Sequence, residues 1–358
     1  MIIHMSATAT PGQQARVLDR VTGAGFRYEV ILGSTGINVI GILGDLSGVE
    51  EAFFQELDGV DRVVRISKAY KLVSREYSAE TKVIDLGDGV EVGGAGLSVM
   101  AGPCSLESEA QMEAIGAYVA AMGIRIIRGG AYKPRTSPYS FQGMGLEGLK
   151  ILAAVREKFG LKVITEATGL HYHVRGDGSK EARNVLENVI EYADIIQIGA
   201  RNMKSYGFLQ ELGILTKGSG KPILLKRGDS STLKDFLLAA EYVVSNGNPN
   251  VILCLRGIRT FEEEKFQRYT PDIGAITVLK RESNLPVVFD PSHSAGYRAN
   301  VPGVALAAVA AGADGLLIET HNDPANALCD GEQSVTEGQL ADIKKKADAI
   351  RNLILKSK

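Results

Sequence analysis

After residue 95 the chain repeats one pattern: a short apolar run that stops at a residue able to bind a metal or an anion. Run 98–101 leads to Cys104, 124–127 to Arg128, 163–165 to Glu166 and 195–198 to Gly199, Ala200 and Arg201. Run 223–225 leads to Lys226, 251–255 to Arg256, 287–289 to Asp290 and His293, and 315–318 to Glu319. Segments long enough for a helix separate these runs. In a parallel (β/α)8 barrel the carboxyl ends of all eight strands converge on one face, where the active site sits. The runs are continuous rather than alternating, as expected of strands buried on both faces of a parallel sheet. The pattern therefore predicts an α/β protein built on a TIM barrel, with its chemistry at one rim.

The chain has 358 residues, which suits a roughly 250-residue barrel plus a smaller unit. With 45% hydrophobic and 23% charged residues it can bury a sizeable core, which excludes a disordered chain. The net charge of −2 and the lack of a long basic run give no footprint for nucleic acid or a membrane surface. Three cysteines make no disulfide framework and point to a reducing compartment. No secretory signal is evident, and the uncharged stretch 301–313 is shorter than the roughly 20 residues a bilayer requires. A cytoplasmic protein is the expectation.

Three segments are expected: a domain over 1–75, a linker with a hairpin over 76–94, and the barrel over 95–358. The first reads as strand 2–5, helix 13–24, strands 28–33 and 37–43 around a turn at 34–36, helix 49–57 and strand 60–66. That order, β-α-β-β-α-β, is the one of a small ferredoxin-like α+β domain. Residues 83–86 and 90–92 flank Gly87-Asp88-Gly89 as a hairpin, placed under the barrel opposite the site. Barrel helices are expected at 109–122, 146–159, 180–192, 206–216, 233–245, 273–283, 301–312 and 338–355. Residues 168–178 read as a loop insertion, since 167–179 exceeds the usual loop between a strand and its helix.

Cys104, His293, Glu319 and Asp330 all fall at or just beyond strands 1, 7 and 8, which are neighbours in a closed barrel. A thiolate, an imidazole and two carboxylates suit one divalent first-row ion, Mn²⁺, Fe²⁺, Co²⁺ or Zn²⁺, better than Mg²⁺ or Ca²⁺. Cys254 lies inside an apolar run and reads as core. Cys329 adjoins Asp330 and is a candidate to pair with Cys104 on oxidation. His321 follows Glu319 by two residues, so a continuing strand would point it into the site or leave it in an outer shell. His171 and His173 have metal-like spacing but no acidic or thiol neighbours, and read as a solvated loop.

Arg128, Lys133, Arg135, Arg201, Lys226 and Arg256 gather at the ends of strands 2, 4, 5 and 6. Crowding cations in a funnel is unfavourable without anions, which points to a substrate bearing several phosphate or carboxylate groups. In the loop 128–138, Gly129 and Gly130 admit a ligand to the backbone, while Pro134 and Pro138 stiffen the turn that carries Lys133, Arg135 and Thr136.

Ala101-Gly-Pro-Cys-Ser105, Lys133-Pro-Arg-Thr-Ser-Pro138, Gln197-Ile-Gly-Ala-Arg-Asn202, Leu225-Lys-Arg-Gly228, Arg256-Gly-Ile-Arg-Thr260, Asp290-Pro-Ser-His-Ser294 and Asp330-Gly-Glu-Gln-Ser334 occur in this order. Together they resemble the 3-deoxy-D-arabino-heptulosonate 7-phosphate (DAHP) synthases of the short-chain β-subtype, over essentially all of 95–345. The amino-terminal unit resembles the ferredoxin-like regulatory domain that some of them carry.

The resemblance implies condensation of phosphoenolpyruvate with erythrose 4-phosphate, the first step of the shikimate pathway, and a metal held by Cys104, His293, Glu319 and Asp330. It implies that Arg128, Lys133, Gly199, Ala200, Arg201, Lys226 and Arg256 hold phosphoenolpyruvate, and that Arg135, Thr136 and Ser137 meet the aldose phosphate. Lys133 is the candidate acid and Glu166 the candidate carboxylate for positioning water. A homotetramer, and tyrosine or phenylalanine as feedback ligand at 1–75, are further implications. The sibling 3-deoxy-D-manno-octulosonate 8-phosphate synthases use arabinose 5-phosphate, but their loop usually reads Lys-Ala-Asn-Arg-Ser-Ser. A barrel that only senses metabolites is the other alternative. Two departures from the family pattern stand out: Leu255 before Arg256, where many members have Glu, and the long insertion after Glu166.

Overall fold

The computed structural model describes residues 1–33, 36–65, 68–135, 137, 139–174, 178–262 and 265–356. Ser34 and Thr35 of the first turn, Ile66, Thr136, Pro138 and part of the insertion lie outside the described residues. The chain divides into two units, one of residues 1–80 with 282–284, the other of 81–281 with 285–358.

In the first unit, strands β1 (Ile2–Met5), β2 (Arg27–Gly33), β3 (Gly36–Leu43) and β4 (Val60–Val64) form an antiparallel sheet in the order β2-β3-β1-β4. Helix Pro11–Gly23 starts at a capping box between Thr10 and Gln13 and buries Val17 and Val21 against Ile3, Ile40 and Phe54. The second helix is shorter than the expected 49–57, covering only Ala52–Gln55. It has no side-chain cap and buries Phe54 alone, too little to extend the turn.

In the second unit a hairpin of β5 (Ile84–Asp85) and β6 (Glu91–Val92) precedes eight parallel strands. These are β7 (Ser98–Gly102), β8 (Ile126–Arg128), β9 (Lys162–Glu166), β10 (Ile195–Ile198), β11 (Ile223–Lys226), β12 (Val251–Leu255), β13 (Val287–Phe289) and β14 (Gly315–Glu319). They close into a barrel, with β14 pairing β7 and β9 pairing β10. The helices between them are Glu109–Ala121, Gly145–Phe159, Val185–Tyr192, Tyr206–Leu215, Leu233–Ser245, Gly274–Glu282 and Val301–Ala310, and Glu337–Lys356 follows β14. The third of these starts five residues later than the expected 180. Lys180 instead bridges Val174, and the Asn184–Glu187 capping box sets the start.

Inside the barrel one layer is wholly apolar. Met100, Ile126, Ile164, Ile195, Leu224, Cys254, Val288 and Leu317 pack together, and Ile84, Val90 and Val92 of the hairpin close the cluster. Each such side chain contributes about 1.5–3 kcal/mol through burial. Cys254 is thus a core residue, as its surroundings in sequence imply. Among the described residues, no helix is long and apolar enough to cross a membrane.

Candidate active site

Strand side chains alternate faces, so the residue two beyond each core position also points into the barrel, one layer nearer the carboxyl rim. Counting two on from Ile126, Ile164, Ile195, Leu224, Cys254, Val288 and Leu317 reaches Arg128, Glu166, Gln197, Lys226, Arg256, Asp290 and Glu319. Every one of these is polar, and all are less than 9% exposed. A polar layer therefore lies directly on an apolar plug.

Cys104 lies two residues beyond β7, His293 in the short helix Pro291–Ala295 after β13, Glu319 at the end of β14, and Asp330 in the loop beyond. One ligand atom from each falls within 4.8 Å of all the others. Cys104 Sγ is 3.1 Å from Asp330 Oδ2, and His293 Nε2 is 3.5 Å from Glu319 Oε1 and 3.8 Å from Asp330 Oδ2. Two ligands of one first-row ion, each about 2.0–2.3 Å from it, stand about 3–4.5 Å apart. The four residues thus form a group able to hold a divalent ion. Asp330 has a left-handed φ of 52°, a conformation that Asp tolerates better than most residues.

Asp290 holds His293 in this group. Its Oδ1 accepts from His293 N at 2.9 Å as the cap of helix Pro291–Ala295, and its Oδ2 lies 2.8 Å from His293 Nδ1 and 2.6 Å from Lys226 Nζ. Burial pushes the His293 pKa down although Asp290 and Glu319 pull the other way, which favours the neutral ring that binding an ion would require. The Cys104 thiol is pushed well up by its hydrogen bond with Cys329 and by burial, so an ion binding there displaces its proton. Arg268, for which the sequence carries no signal, donates to Gln333 Oε1 at 2.8 Å and lies 3.4 Å from Asp330 Oδ1. Gln333 Nε2 in turn donates to Glu319 at 2.5 Å.

The two sulfurs of Cys104 and Cys329 are 3.3 Å apart, and Arg135 Nη1 donates to Cys329 Sγ at 2.7 Å. A disulfide needs about 2.05 Å, so a small rotation of either side chain suffices. Mild oxidation of metal-free protein is expected to join Cys104 to Cys329, with bound metal protecting both. Mass mapping that finds no such species would refute the pairing.

The cations lie against the same group. Arg128 pairs with Glu319, both fully inside, and Lys226 with Asp290. Crowding of positive charge is therefore less severe than the sequence implies, because acids of the same layer already neutralise two of the six. The Arg256 guanidinium stacks 4.4 Å from the Tyr269 ring centroid. Lys133 Nζ donates to Cys104 O at 2.9 Å and Cys104 Sγ at 3.1 Å. Burial works against its charge, but the cysteines and Glu166 outweigh that and raise its pKa. Together these groups line a cleft of about 540 Å³ that also takes in Arg135, Ser137, Arg201, Arg259 and Arg268.

The sequence profile of the DAHP synthetase I family matches residues 80–356, and that of the DAHP synthase ferredoxin-like domain matches 1–68. The chain belongs to the DAHP synthetase I family. It is 46% identical over 316 residues to a phospho-2-dehydro-3-deoxyheptonate aldolase of Thermotoga maritima, covering 87% of this chain and 88% of that one. The crystal structure of DAHP synthase from that organism aligns with a TM-score of 0.72 at 42% identity, covering 98% of each chain. A truncated form of the Thermotoga enzyme aligns at 0.66 with 41% identity, over 79% of this chain and 98% of that one. More distant is a 2-dehydro-3-deoxyphosphooctonate aldolase of Acidithiobacillus ferrooxidans, 33% identical over 263 residues, 68% of this chain and 86% of that one.

Within this family member, Glu166 is held by Gln197 Nε2 at 3.1 Å and faces the same cleft. Gly199 has a reason beyond offering its backbone: a Cβ there would collide with the Glu166 carboxylate. Ala200 and exposed Arg201 continue that lip in a 3-10 turn, Ala200–Asn202. Thr136 falls outside the described residues. His321 does not join the site. The strand ends at Glu319, and the ring turns to Gln111 at 2.8 Å, with Glu107 Oε2 at 3.5 Å. Gln197, the one polar-layer residue not read as a ligand group, was accessible through the same two-residue count.

Proposed function

We propose that the chain is a 3-deoxy-7-phosphoheptulonate synthase, joining phosphoenolpyruvate, D-erythrose 4-phosphate and water into DAHP and inorganic phosphate. The observation that carries this reading is the adjacency of the Cys104–His293–Glu319–Asp330 group to a wall of cations in one cleft. A divalent ion, Mn²⁺, Fe²⁺, Co²⁺ or Zn²⁺, held by those four residues would supply Lewis acidity at an aldehyde oxygen.

The protein's own groups do the rest. Arg128, Lys133, Arg201, Lys226 and Arg256, with backbone at Gly199 and Ala200, hold phosphoenolpyruvate; Arg135, Thr136 and Ser137 hold the aldose phosphate. Two polyanions repel, so a cationic wall that brings them together supplies much of the rate. Carbon 3 of phosphoenolpyruvate forms the new bond to the aldehyde carbon, and water adds at carbon 2. Lys133, kept charged, donates its proton to the alkoxide oxygen that develops; Glu166 orients the water and takes its proton. The hemiketal phosphate then breaks its carbon–oxygen bond: the hydroxyl at carbon 2 becomes the ketone, and its proton goes to the departing phosphate.

We further propose that residues 1–75 bind tyrosine or phenylalanine as feedback ligand, and that the cytoplasmic enzyme works as a homotetramer. The support is the matching ferredoxin-like domain, whose described residues carry no catalytic constellation. One assay tests the set: phosphate release with erythrose 4-phosphate or arabinose 5-phosphate, with and without added Mn²⁺, tyrosine and phenylalanine. Turnover of the four-carbon aldose, lost on chelation, is expected. Preference for arabinose 5-phosphate would make it the octulosonate enzyme, and no turnover of either would leave a sensing barrel.

A further inference from the structure

The loop after β8 has its two legs tied together by a buried carboxylate that the chemistry above does not use. Residues 131–146 carry Lys133, Arg135 and Ser137 to the cleft and return into helix Gly145–Phe159. Backbone bonds close the base of this loop: Gly145 N donates to Ala131 O at 2.9 Å, and Lys133 N to Gln142 O at 3.0 Å. Glu181, only 4% exposed, sits on that closure. Its Oε2 accepts from Tyr132 Oη at 2.7 Å and Asn188 Nδ2 at 2.8 Å, and its Oε1 accepts from Leu146 N at 2.9 Å. Asn188 Nδ2 also reaches Tyr132 Oη at 3.0 Å. Tyr132 immediately precedes Lys133, and Leu146 lies in the first helical turn, where N–H groups lack a partner within the helix. One side chain therefore grips both the outgoing and the returning leg.

Glu181 comes from the long segment between β9 and helix Val185–Tyr192. That segment folds back on itself, with Glu181 N donating to His173 O at 3.0 Å and Val174 bridging Lys180. The His173 ring meets Tyr132 edge-on, centroids 5.3 Å apart. Gly145, at φ 60°, leaves the space that Glu181 and His173 occupy, since a Cβ there would strike both. Among the described residues Glu181 has no ion pair. A buried carboxylate is stabilised by its hydrogen-bond donors, and the described donors to Glu181 belong to the loop and to Asn188.

We propose that Glu181 is a positioning residue for the condensation, acting through Tyr132 and Leu146 to keep the 131–146 loop closed with Lys133 and Arg135 at the cleft. The proposal rests on the functional reading above. Displacement of a reacting group by about 1 Å can lower the rate about 100-fold. The effect falls more on the aldose than on phosphoenolpyruvate, because Arg135 and Ser137 ride on this loop, whereas of the proposed phosphoenolpyruvate contacts only Lys133 does: Arg128 ends β8 itself, and Arg201, Lys226 and Arg256 sit at other strand ends.

The test is steady-state phosphate release by the full-length, metal-loaded enzyme and its Glu181→Gln, Tyr132→Phe and doubly substituted forms. Glu181→Gln is expected to raise KM for erythrose 4-phosphate about tenfold and lower kcat, with a clearly smaller rise in KM for phosphoenolpyruvate. Tyr132→Phe should shift the same parameters less, and the double variant should be no worse than Glu181→Gln, as for one clamp. Equal changes in both KM values, a wild-type kinetic pattern despite a lowered Tm, or effects that multiply in the double variant would overturn the proposal. If Glu181→Gln does not fold, Tyr132→Phe decides by the same split. A wild-type enzyme that turns over neither aldose overturns the functional reading itself, and the proposal with it.

Discussion

Exchange of His293 for Ala is expected to abolish metal binding and turnover together, while the barrel stays folded. His293 is one of four donors gathered within 4.8 Å, and Asp290 contacts both its backbone N–H and its ring. Without the imidazole, three of the four donors remain. Lewis-acid assistance is worth several kcal/mol, and about 4 kcal/mol corresponds to about a 10³-fold loss in kcat. The helix Pro291–Ala295 keeps its Asp290 cap and its buried Pro291 and Ala295, so unfolding is not the expected cause. Cys104→Ala should behave alike. Metal titration by calorimetry beside the phosphate-release assay reads both effects. Wild-type turnover of both variants after exhaustive chelation would show that the four-residue group is not the catalytic centre.

The second large effect is on stability. Arg128→Ala removes the counter-charge of Glu319 from a site where both side chains are almost fully inside, at 4% and 0% exposure. Breaking a buried pair by deleting one partner typically costs about 3–5 kcal/mol, because the remaining ion stays buried. For a domain of this size each kcal/mol lowers Tm by about 2–4 °C, so a fall of roughly 6–20 °C is expected for metal-free protein. A bound divalent ion would take over as counter-charge for Glu319, so the loss should shrink on metal loading. Thermal unfolding of both forms reads this difference. An equal loss with and without metal would separate Glu319 from the ion. Independently, loss of the guanidinium should weaken phosphoenolpyruvate binding by about 1–3 kcal/mol.

Much of this was legible from residue order, because barrel strands are short, buried on both faces and regularly spaced. Cys104, His293, Glu319 and Asp330 could be singled out as one group of possible donors, since their residue types suit one ion and strands 1, 7 and 8 must be neighbours in a closed barrel; the structure brings them within 4.8 Å. Arg268 could not: it reaches Asp330 and Gln333 from an irregular loop, where no periodicity fixes direction. His321 was open to two readings, in the site or behind it; β14 stops at Glu319 and the ring turns to Gln111, which residue order does not show.

Local chemistry along the chain determined the barrel, the alternation of apolar and polar layers and the identity of the donor set, all of which follow from side-chain period and type. Only the tertiary structure decided which charges neutralise one another, Arg128 with Glu319 and Lys226 with Asp290, and which carboxylate fastens the loop bearing Lys133. Those pairings join residues up to 191 positions apart. Their energies depend on separation and burial in space, which pattern along a chain does not encode.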